Sequence, residues 1–383
     1  MFTDSDPSSV ARQHLAAWQQ ALPRDFFEAD PDLHRALRLY LGEARFEAIR
    51  PRMSAAGRDA ATVVDRAASL NDRSHNHPHL ERWSATGERI ENVEFHPSYH
   101  EAGRPIYESG ILALQEEPDR SLEQAALLYL FGQCGEAGHL CPVVCTAGLI
   151  RALQAHGTPE LRERYLPPLL DPRYDHRHTG AQSLTEIQGG SDVGANAVRA
   201  TPEPGHSGAW RINGEKWFFS NATAEQVLVT ARPEGAPAGT RGLGLFLIPR
   251  YLPDGSLNGI YLRRLKEKFG TRTMASAEVD FRDALAYQVG EIEEGIHIAL
   301  QQVLNTSRWL NAIGSLSALR RALVEARNYA AHRNAFGQPI RTYPLVQEAL
   351  AEMQAELAGG LAVTWRLSHL LDRQDTGLAT EQE

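Results

Sequence analysis

The sequence predicts a multidomain α+β chain with a helical beginning, a β-rich middle and a helical end, and three observations predict it. Its 383 residues exceed one compact core at about 100 to 200 residues per domain. Apolar residues recur at three- and four-residue spacing through residues 1–178 and again beyond Gly295, the period of helices that bury one stripe. Between them lie short β-rich runs at nearly even intervals, which suit a barrel or a sandwich. The expected divisions are 1–178, 179–290 and 291–383.

In the first region, Ser121 to Gly132 and Thr146 to His156 read as helices set apart by turn signals. The β runs are Trp217–Phe219, Val227–Ala231, Leu243–Pro249, Ile260–Leu265 and Ala277–Phe281. Asn213-Gly214 between two apolar runs predicts a tight hairpin, because both turn positions want positive φ. The Pro/Gly cluster from Arg232 to Gly244 reads as a surface loop. From Gly295 to His332 one apolar stripe, including Ile298, Val303, Ile313 and Leu323, predicts an unusually long helix. After Gly337-Gln338-Pro339 a second helix is expected from Leu345 to Leu371, with Leu350, Leu357 and Leu361 facing its partner. Two antiparallel helices bury one side each, so further helices must come from the other domains or a second subunit. An oligomer is therefore expected.

Hydrophobic residues are 42% and charged residues 23%, the balance of a globular protein. The net charge of −9 repels phosphate backbones, so no nucleic-acid partner is expected. The most apolar stretch, Ala125 to Leu153, is interrupted by Gln133, Glu136, His139 and Arg151, so no membrane span is expected either. The start, MFTDSDPSSVARQ, resembles no export signal. Three cysteines, Cys134, Cys141 and Cys145, are an odd number that fits a reducing compartment, and a cytoplasmic location is expected.

Residues 185 to 193, Thr-Glu-Ile-Gln-Gly-Gly-Ser-Asp-Val, sit at the helical-to-β handover and carry two glycines that let amides approach a ligand. The same run also reads as an ordinary Gly-rich connection, since it matches no phosphate-loop pattern. In Lys216-Trp217-Phe218-Phe219-Ser220-Asn221, strand alternation sends Trp217 and Phe219 to one face and Phe218 and Ser220 to the other. An aromatic beside a hydroxyl suits a flat heterocycle; a plain core strand is the alternative. His75-Asn76-His77-Pro78-His79 matches no zinc spacing and reads as a surface loop, so no metal is expected. Cys141 and Cys145, four apart, read as buried small hydrophobes. The basic run Arg263 to Lys268 reads as a solvated strand edge.

Taken together and in order, Ser183 to Val193 with Lys216 to Asn221, Leu265-Lys266-Glu267-Lys268-Phe269-Gly270-Thr271-Arg272, and Arg333-Asn334-Ala335-Phe336-Gly337-Gln338 resemble the acyl-CoA dehydrogenase family. The likeness spans residues 65 to 375. Phe95-His96-Pro97-Ser98-Tyr99-His100 and Gly138-His139-Leu140-Cys141-Pro142 look most like its AidB-like, adaptive-response branch, related to isovaleryl-CoA dehydrogenase, with a shortened C-terminus. The resemblance implies an N-terminal helical domain, a middle antiparallel β-barrel binding FAD, and a C-terminal helical bundle of which two long helices are present. It also implies a tetramer. Thr185 and the backbone of Gln182 and Leu184 would meet the flavin ring, Ser220 would offer its hydroxyl near the reactive nitrogen, and Phe218 would replace the usual tryptophan wall. Ser191 would contact the FAD pyrophosphate or the thioester ligand, and Arg333 with Phe336 would reach the FAD of a neighbouring subunit. Arg308 fills the arginine position of the long helix, where substrate contact and a salt bridge stay open.

The family reaction is α,β-dehydrogenation of an acyl-CoA thioester, in which a carboxylate takes the α proton and hydride leaves the β carbon for the flavin. No catalytic base is assigned, because Ser307 occupies the position before Arg308 and no late glutamate segment is matched. Glu381 and Glu383 read as solvated tail. The resemblance indicates no electron acceptor. The expected function is thus an FAD-dependent acyl-CoA dehydrogenase, with a flavin-binding but inert damage-response or assembly protein as the alternative.

Overall fold

The structure, a computed structural model, describes residues 6–205 and 208–380; Glu381 and Glu383 lie outside them. In chain order the elements begin with α1 (Pro7–Gln20), α2 (Pro31–Leu41), α3 (Glu43–Asp59), α4 (Asp65–Asn71), β1 (His79–Trp83) and β2 (Arg89–Glu94). Next come α5 (Pro97–Glu108), α6 (Ser121–Gly132), α7 (Leu140–His156) and α8 (Pro159–Leu170). The β region holds β3 (Gly180–Ser183), β4 (Arg199–Pro202), β5 (Ala209–Ser220), β6 (Gln226–Pro233), β7 (Gly244–Pro249), β8 (Ile260–Leu265) and β9 (Ser276–Gln288). The chain closes with α9 (Gly295–Ile298), α10 (Asn305–His332), a short hairpin of β10 (Asn334–Ala335) and β11 (Gln338–Pro339), and α11 (Pro344–Asp375). A π-helical turn at Ala299–Leu304 joins α9 to α10, so the path is helical from Gly295 to His332. The first 178 residues are not wholly helical, since β1 and β2 form an antiparallel pair.

The chain divides into two compact units. One comprises Met1–Asp65, Ser121–Gly135 and Ala312–Glu383. All twelve residues of α6 are buried, which explains why its sequence shows almost no polar face. Tyr129 packs edge-on against Trp365 of α11 and donates its hydroxyl to buried Asp30 at 2.9 Å. The start of α6 is capped from far along the chain: Asp372 of α11 accepts from the N–H groups of Ser121 (2.5 Å) and Leu122 (3.1 Å). Those amides have no partner inside their own helix, so a remote carboxylate satisfies them and meets the positive helix end.

The other unit, Arg66–Arg120 with Glu136–Asn311, contains the β region. Strands β6, β4, β5, β9 and β7 pair in that order and β7 returns to β6, closing a five-stranded barrel. Strands β3 and β4 follow one another along β6, while β8 lies on β9. Alternate residues such as Val227, Val229 and Ala231 fill the interior with Phe219, Phe246 and Val279. The expectation of a purely antiparallel barrel is corrected here: β3 and β4 both run parallel to β6. Short parallel partners become possible because a long loop, not a tight turn, brings the chain from β3 to β4.

The Asn213-Gly214 hairpin is also absent, because β5 runs straight through both residues. Its ladder to β9 instead shifts register between Ile212 and Gly214. There the Asn213 amide donates to the Asp283 carboxylate and its carbonyl accepts from the Asp283 N–H, both at 2.9 Å. Asn-Gly serves a bulge here, with Gly214 at φ 134°. Replacing Asp372 by Ala should remove the cap on α6 and lower stability by about 1 to 3 kcal/mol; the urea midpoint checks it.

Candidate functional site

The run from Thr185 to Val193 is fastened to the barrel by a lysine. Lys216 of β5 is buried, and its Nζ reaches Glu186 Oε1 at 2.8 Å, the Leu184 carbonyl at 3.0 Å and Asn196 Oδ1 at 3.3 Å. Glu186 also accepts from the Ala197 N–H at 2.6 Å and from the Gln188 amide at 2.7 Å. One carboxylate thus gathers both ends of the Gly-rich loop. Burial drives the Lys216 pKa down to about 8 against the pull of Glu186. Burial alone would raise Glu186, but the Lys216 ammonium and the Ala197 N–H outweigh it and hold the carboxyl low. A charge pair this deep needs every remaining hydrogen bond filled, and Thr230 and Asn196 help supply them.

Two further ties set the end of β5 beside β3. The Trp217 N–H donates to the Thr185 carbonyl at 2.9 Å, and the Asn221 amide donates to the Gly180 carbonyl at 3.0 Å. Asn221 adopts φ 59°, and its short amide tolerates that conformation. Between these ties β3 and β5 are not ladder partners. The two ties hold the stretch from Gly180 to Thr185 against the stretch from Trp217 to Asn221.

Of the residues singled out from sequence, Gln182, Leu184 and Thr185 lie on one of the two stretches that these ties join, and Phe218 and Ser220 on the other. Ser307 joins them, since the Gln182 side-chain amide donates to its hydroxyl at 3.0 Å. Arg308 is exposed and donates to Asn305 at 2.9 Å. Ser191 is exposed, two residues past the Glu186–Gly189 bridge. Arg333 and Phe336 belong to the other unit, where both are exposed. Phe336 and Gly337, at φ 49° and 84°, form the two-residue turn of the β10–β11 hairpin, the geometry of a type I′ turn.

The strict alternation expected over Lys216 to Asn221 fails, because the β5–β9 register shifts again between Lys216 and Phe219. The bulge lets consecutive rings share a neighbour: the Lys266 ammonium lies 3.3 Å from the Trp217 ring centre and 4.7 Å from that of Phe218. Phe219 remains buried in the barrel, while Phe218 is 47% exposed. The basic run on β8 is not freely solvated, for Arg263 pairs with Glu215 and Asp280, and Lys266 with Glu278. Sequence reasoning missed the Lys216–Glu186 pair. Its signal was a lysine followed directly by three aromatic residues in a strand.

These residues fit a planar heterocycle. The half-exposed Phe218 ring offers a face, Ser220 two residues on is half-buried, and Thr185 Oγ1 lies over Gly190, where a Cβ would come within 2.7 Å. A side chain at Gly190 would fill that cradle. Among the described residues no cluster of His, Cys, Asp or Glu is arranged to hold a metal ion.

A second polar group lies where α5 meets the start of α7. Glu136 and His139 are buried, with Glu136 Oε2 accepting from the His139 N–H at 2.8 Å. His139 Nε2 lies 2.7 Å from the Tyr99 carbonyl. Burial lifts the Glu136 pKa to about 7 and lowers that of His139 to about 3. Both are therefore largely neutral near pH 6.

The adaptive response protein AidB N-terminal domain matches residues 18–176, the acyl-CoA dehydrogenase middle domain 181–284 and the acyl-CoA dehydrogenase C-terminal domain 293–382. The chain is 38% identical to AidB of Escherichia coli (strain K12) over 78% of its own length and 56% of the relative's. It superposes on the structure of Bd2924 in its apo-form with a TM-score of 0.88 at 31% identity, covering 93% of this chain and 72% of that one. Caenorhabditis elegans ACDH-11 in complex with C11-CoA gives a TM-score of 0.86 at 29% identity, covering 93% and 61%. The chain thus spans little more than half the length of AidB.

Two expectations follow. Lys216→Met should cost roughly 3 to 5 kcal/mol by leaving Glu186 buried and unpaired, and Lys216→Met with Glu186→Leu should recover most of it; urea denaturation measures both. Glu136 carries a pKa raised on folding, so its contribution to stability is complete below its unfolded value and is lost as pH rises through about 7. Glu136→Gln keeps an acceptor for the His139 N–H. It should match the parent at about pH 4 and exceed it by roughly 2 to 3 kcal/mol at about pH 8, read from urea midpoints across pH.

Proposed function

Since the chain belongs to the acyl-CoA dehydrogenase family, in its AidB-like branch, we propose that it binds FAD and carries out α,β-dehydrogenation of an acyl-CoA thioester. The observation that supports this reading is the pair of ties joining the stretch from Gly180 to Thr185 to the end of β5, which bears Phe218 and Ser220. Bound FAD would supply the acceptor for a hydride from the β carbon. Phe218 gives the ring an apolar wall without an N–H donor. Ser220 would offer its hydroxyl to the ring, and Thr185, with the backbone of Gln182 and Leu184, would meet it. Lys216 acts at one remove, holding Leu184 and Glu186 in place through the hydrogen bonds of its ammonium. Arg333 and Phe336, displayed around the β10–β11 hairpin, would reach the FAD of a second copy. Ser191 would contact the pyrophosphate or the thioester, and Arg308 would contact the substrate. Domain divisions at residues 178 and 290, an oligomer and a cytoplasmic location belong to the same reading.

The proton step is the weak point of this chain. Ser307 stands at the position before the long-helix arginine, held by Gln182, and a hydroxyl does not take an α proton at neutral pH. Family members related to isovaleryl-CoA dehydrogenase carry their carboxylate there. Ser307→Glu should therefore speed bleaching of the flavin band by an acyl-CoA on the order of 10²-fold, followed by stopped-flow absorbance. Ser220→Ala and Arg333→Ala should each lower the FAD retained after purification, the second more where an oligomer forms. Unchanged FAD content in both would remove the assignment.

A further inference from the structure

Strands β8 and β9 are joined by residues 266–275, and Lys268 staples that loop to the sheet. The loop closes where the Lys266 N–H donates to the Ser276 carbonyl at 2.7 Å. Within it the Met274 N–H donates to the Thr271 carbonyl at 3.1 Å, and Thr271 is held at φ 51°, a conformation that a β-branched residue resists. The Lys268 Nζ donates to the Met274 carbonyl at 2.8 Å and to Ser276 Oγ at 2.9 Å. Ser276 is buried at the start of β9 and is the ladder partner of Ser220. Residues directly opposite on an antiparallel pair send their side chains to one face, with Cβ atoms about 5 Å apart. The Lys268 ammonium is therefore held on the face of the sheet to which the Ser220 side chain belongs.

A staple to a carbonyl and a hydroxyl needs N–H donors and no charge. Lys216 and Lys266 each meet a carboxylate at 2.8 Å. Lys268 forms no ion pair among the described residues; its printed partners are the two neutral oxygens. It is also half-buried. An ammonium drawn partly out of water without a counter-charge costs free energy, and burial accordingly lowers its pKa. Negative charge arriving on the same face recovers part of that cost.

We propose that Lys268 is the electrostatic partner of the bound flavin, placed beside Ser220 so that it favours the reduced ring over the oxidised one. This role rests on the FAD reading above. A hydride carries two electrons and one proton, so the ring that accepts it gains one negative charge while the β carbon of the thioester is oxidised. Lys268 supplies neither electron nor proton; it contributes a fixed positive charge, in place before the negative one develops. Its hydrogen bond to Ser276 sets where that charge stands, so Lys268 is a positioned cation and not a member of the proton transfer.

The test uses the full chain loaded with excess FAD and reads the midpoint potential of the bound flavin by equilibration with a reference dye. Lys268→Gln removes the charge and keeps an N–H donor for the loop, and Lys268→Met removes both. Each should make reduction roughly tenfold less favourable, a fall of about 30 mV for a two-electron couple. Lys268→Arg keeps the cation and should stay within about threefold of the parent, which separates charge from loop structure. A potential unchanged in both neutral variants overturns the proposal, and so does an equal fall in the Arg variant. Loss of FAD from both neutral variants overturns it as well, since the charge is assigned to the reduced ring and not to retention of the oxidised one. A parent chain that takes up no FAD counts against the dehydrogenase reading and this role together, whereas flavin bound at a potential indifferent to Lys268 counts against this role alone.

Discussion

The buried contact between Lys216 and Glu186 is the constraint on which the candidate site depends. Without it the Gly-rich loop would have two glycines and no fixed path. With it, the Glu186 carboxylate reaches forward to the amide of Ala197 and across to β5 at once. Such a pair is a poor source of stability, because desolvation of both charges offsets most of their attraction. Its value is positional. A slip of one residue in β5 would move Lys216 to the opposite face of the strand and expose the carboxylate to an apolar interior, so the pair selects one register. The Trp217–Thr185 and Asn221–Gly180 ties then follow from that register.

Two irregularities in β5 do the remaining positioning. Along the shared ladder the first puts the extra residue in β9 and the second puts it in β5. The first, at Asn213-Gly214, is held by the side chain of Asn213 and the positive φ of Asp283. The second lets Trp217 and Phe218 meet one lysine from adjacent positions. Phe219 still enters the core. A regular strand cannot give two successive aromatics a common neighbour and leave the third buried; a bulge can.

Much of this was legible in the sequence, and the failures share a cause. The periodicity that predicts the long helix to His332 and its partner from Leu345 is local, carried by residues three and four apart, and both helices are present. The β runs were equally plain. What pairing they adopt is not local. Asn-Gly satisfies a hairpin and a bulge equally well, and only the identity of the opposing strand decides between them. The same holds for Lys216: nothing in its neighbourhood marks it as buried, because the acid that balances it lies thirty residues earlier, at Glu186. The parallel partners of β6 were hidden for a related reason, since a short β run carries no mark of its direction. Family likeness singled out Ser220, Phe218 and Thr185, and it is tertiary ties, invisible in the sequence, that join the two stretches bearing them.

Three lysines surround this place, and their differing partners set its electrostatics. Lys216 is wholly buried and balanced by Glu186. Lys266 is balanced by Glu278 and shielded beneath two aromatic rings. Lys268 has only a carbonyl and a hydroxyl. The first two charges are therefore cancelled within about 3 Å and contribute little field beyond their partners. The third is not, and it stands against Ser276, the ladder partner of Ser220. An uncompensated cation stabilises negative charge developing nearby without reorganisation, which would suit the proposed reaction.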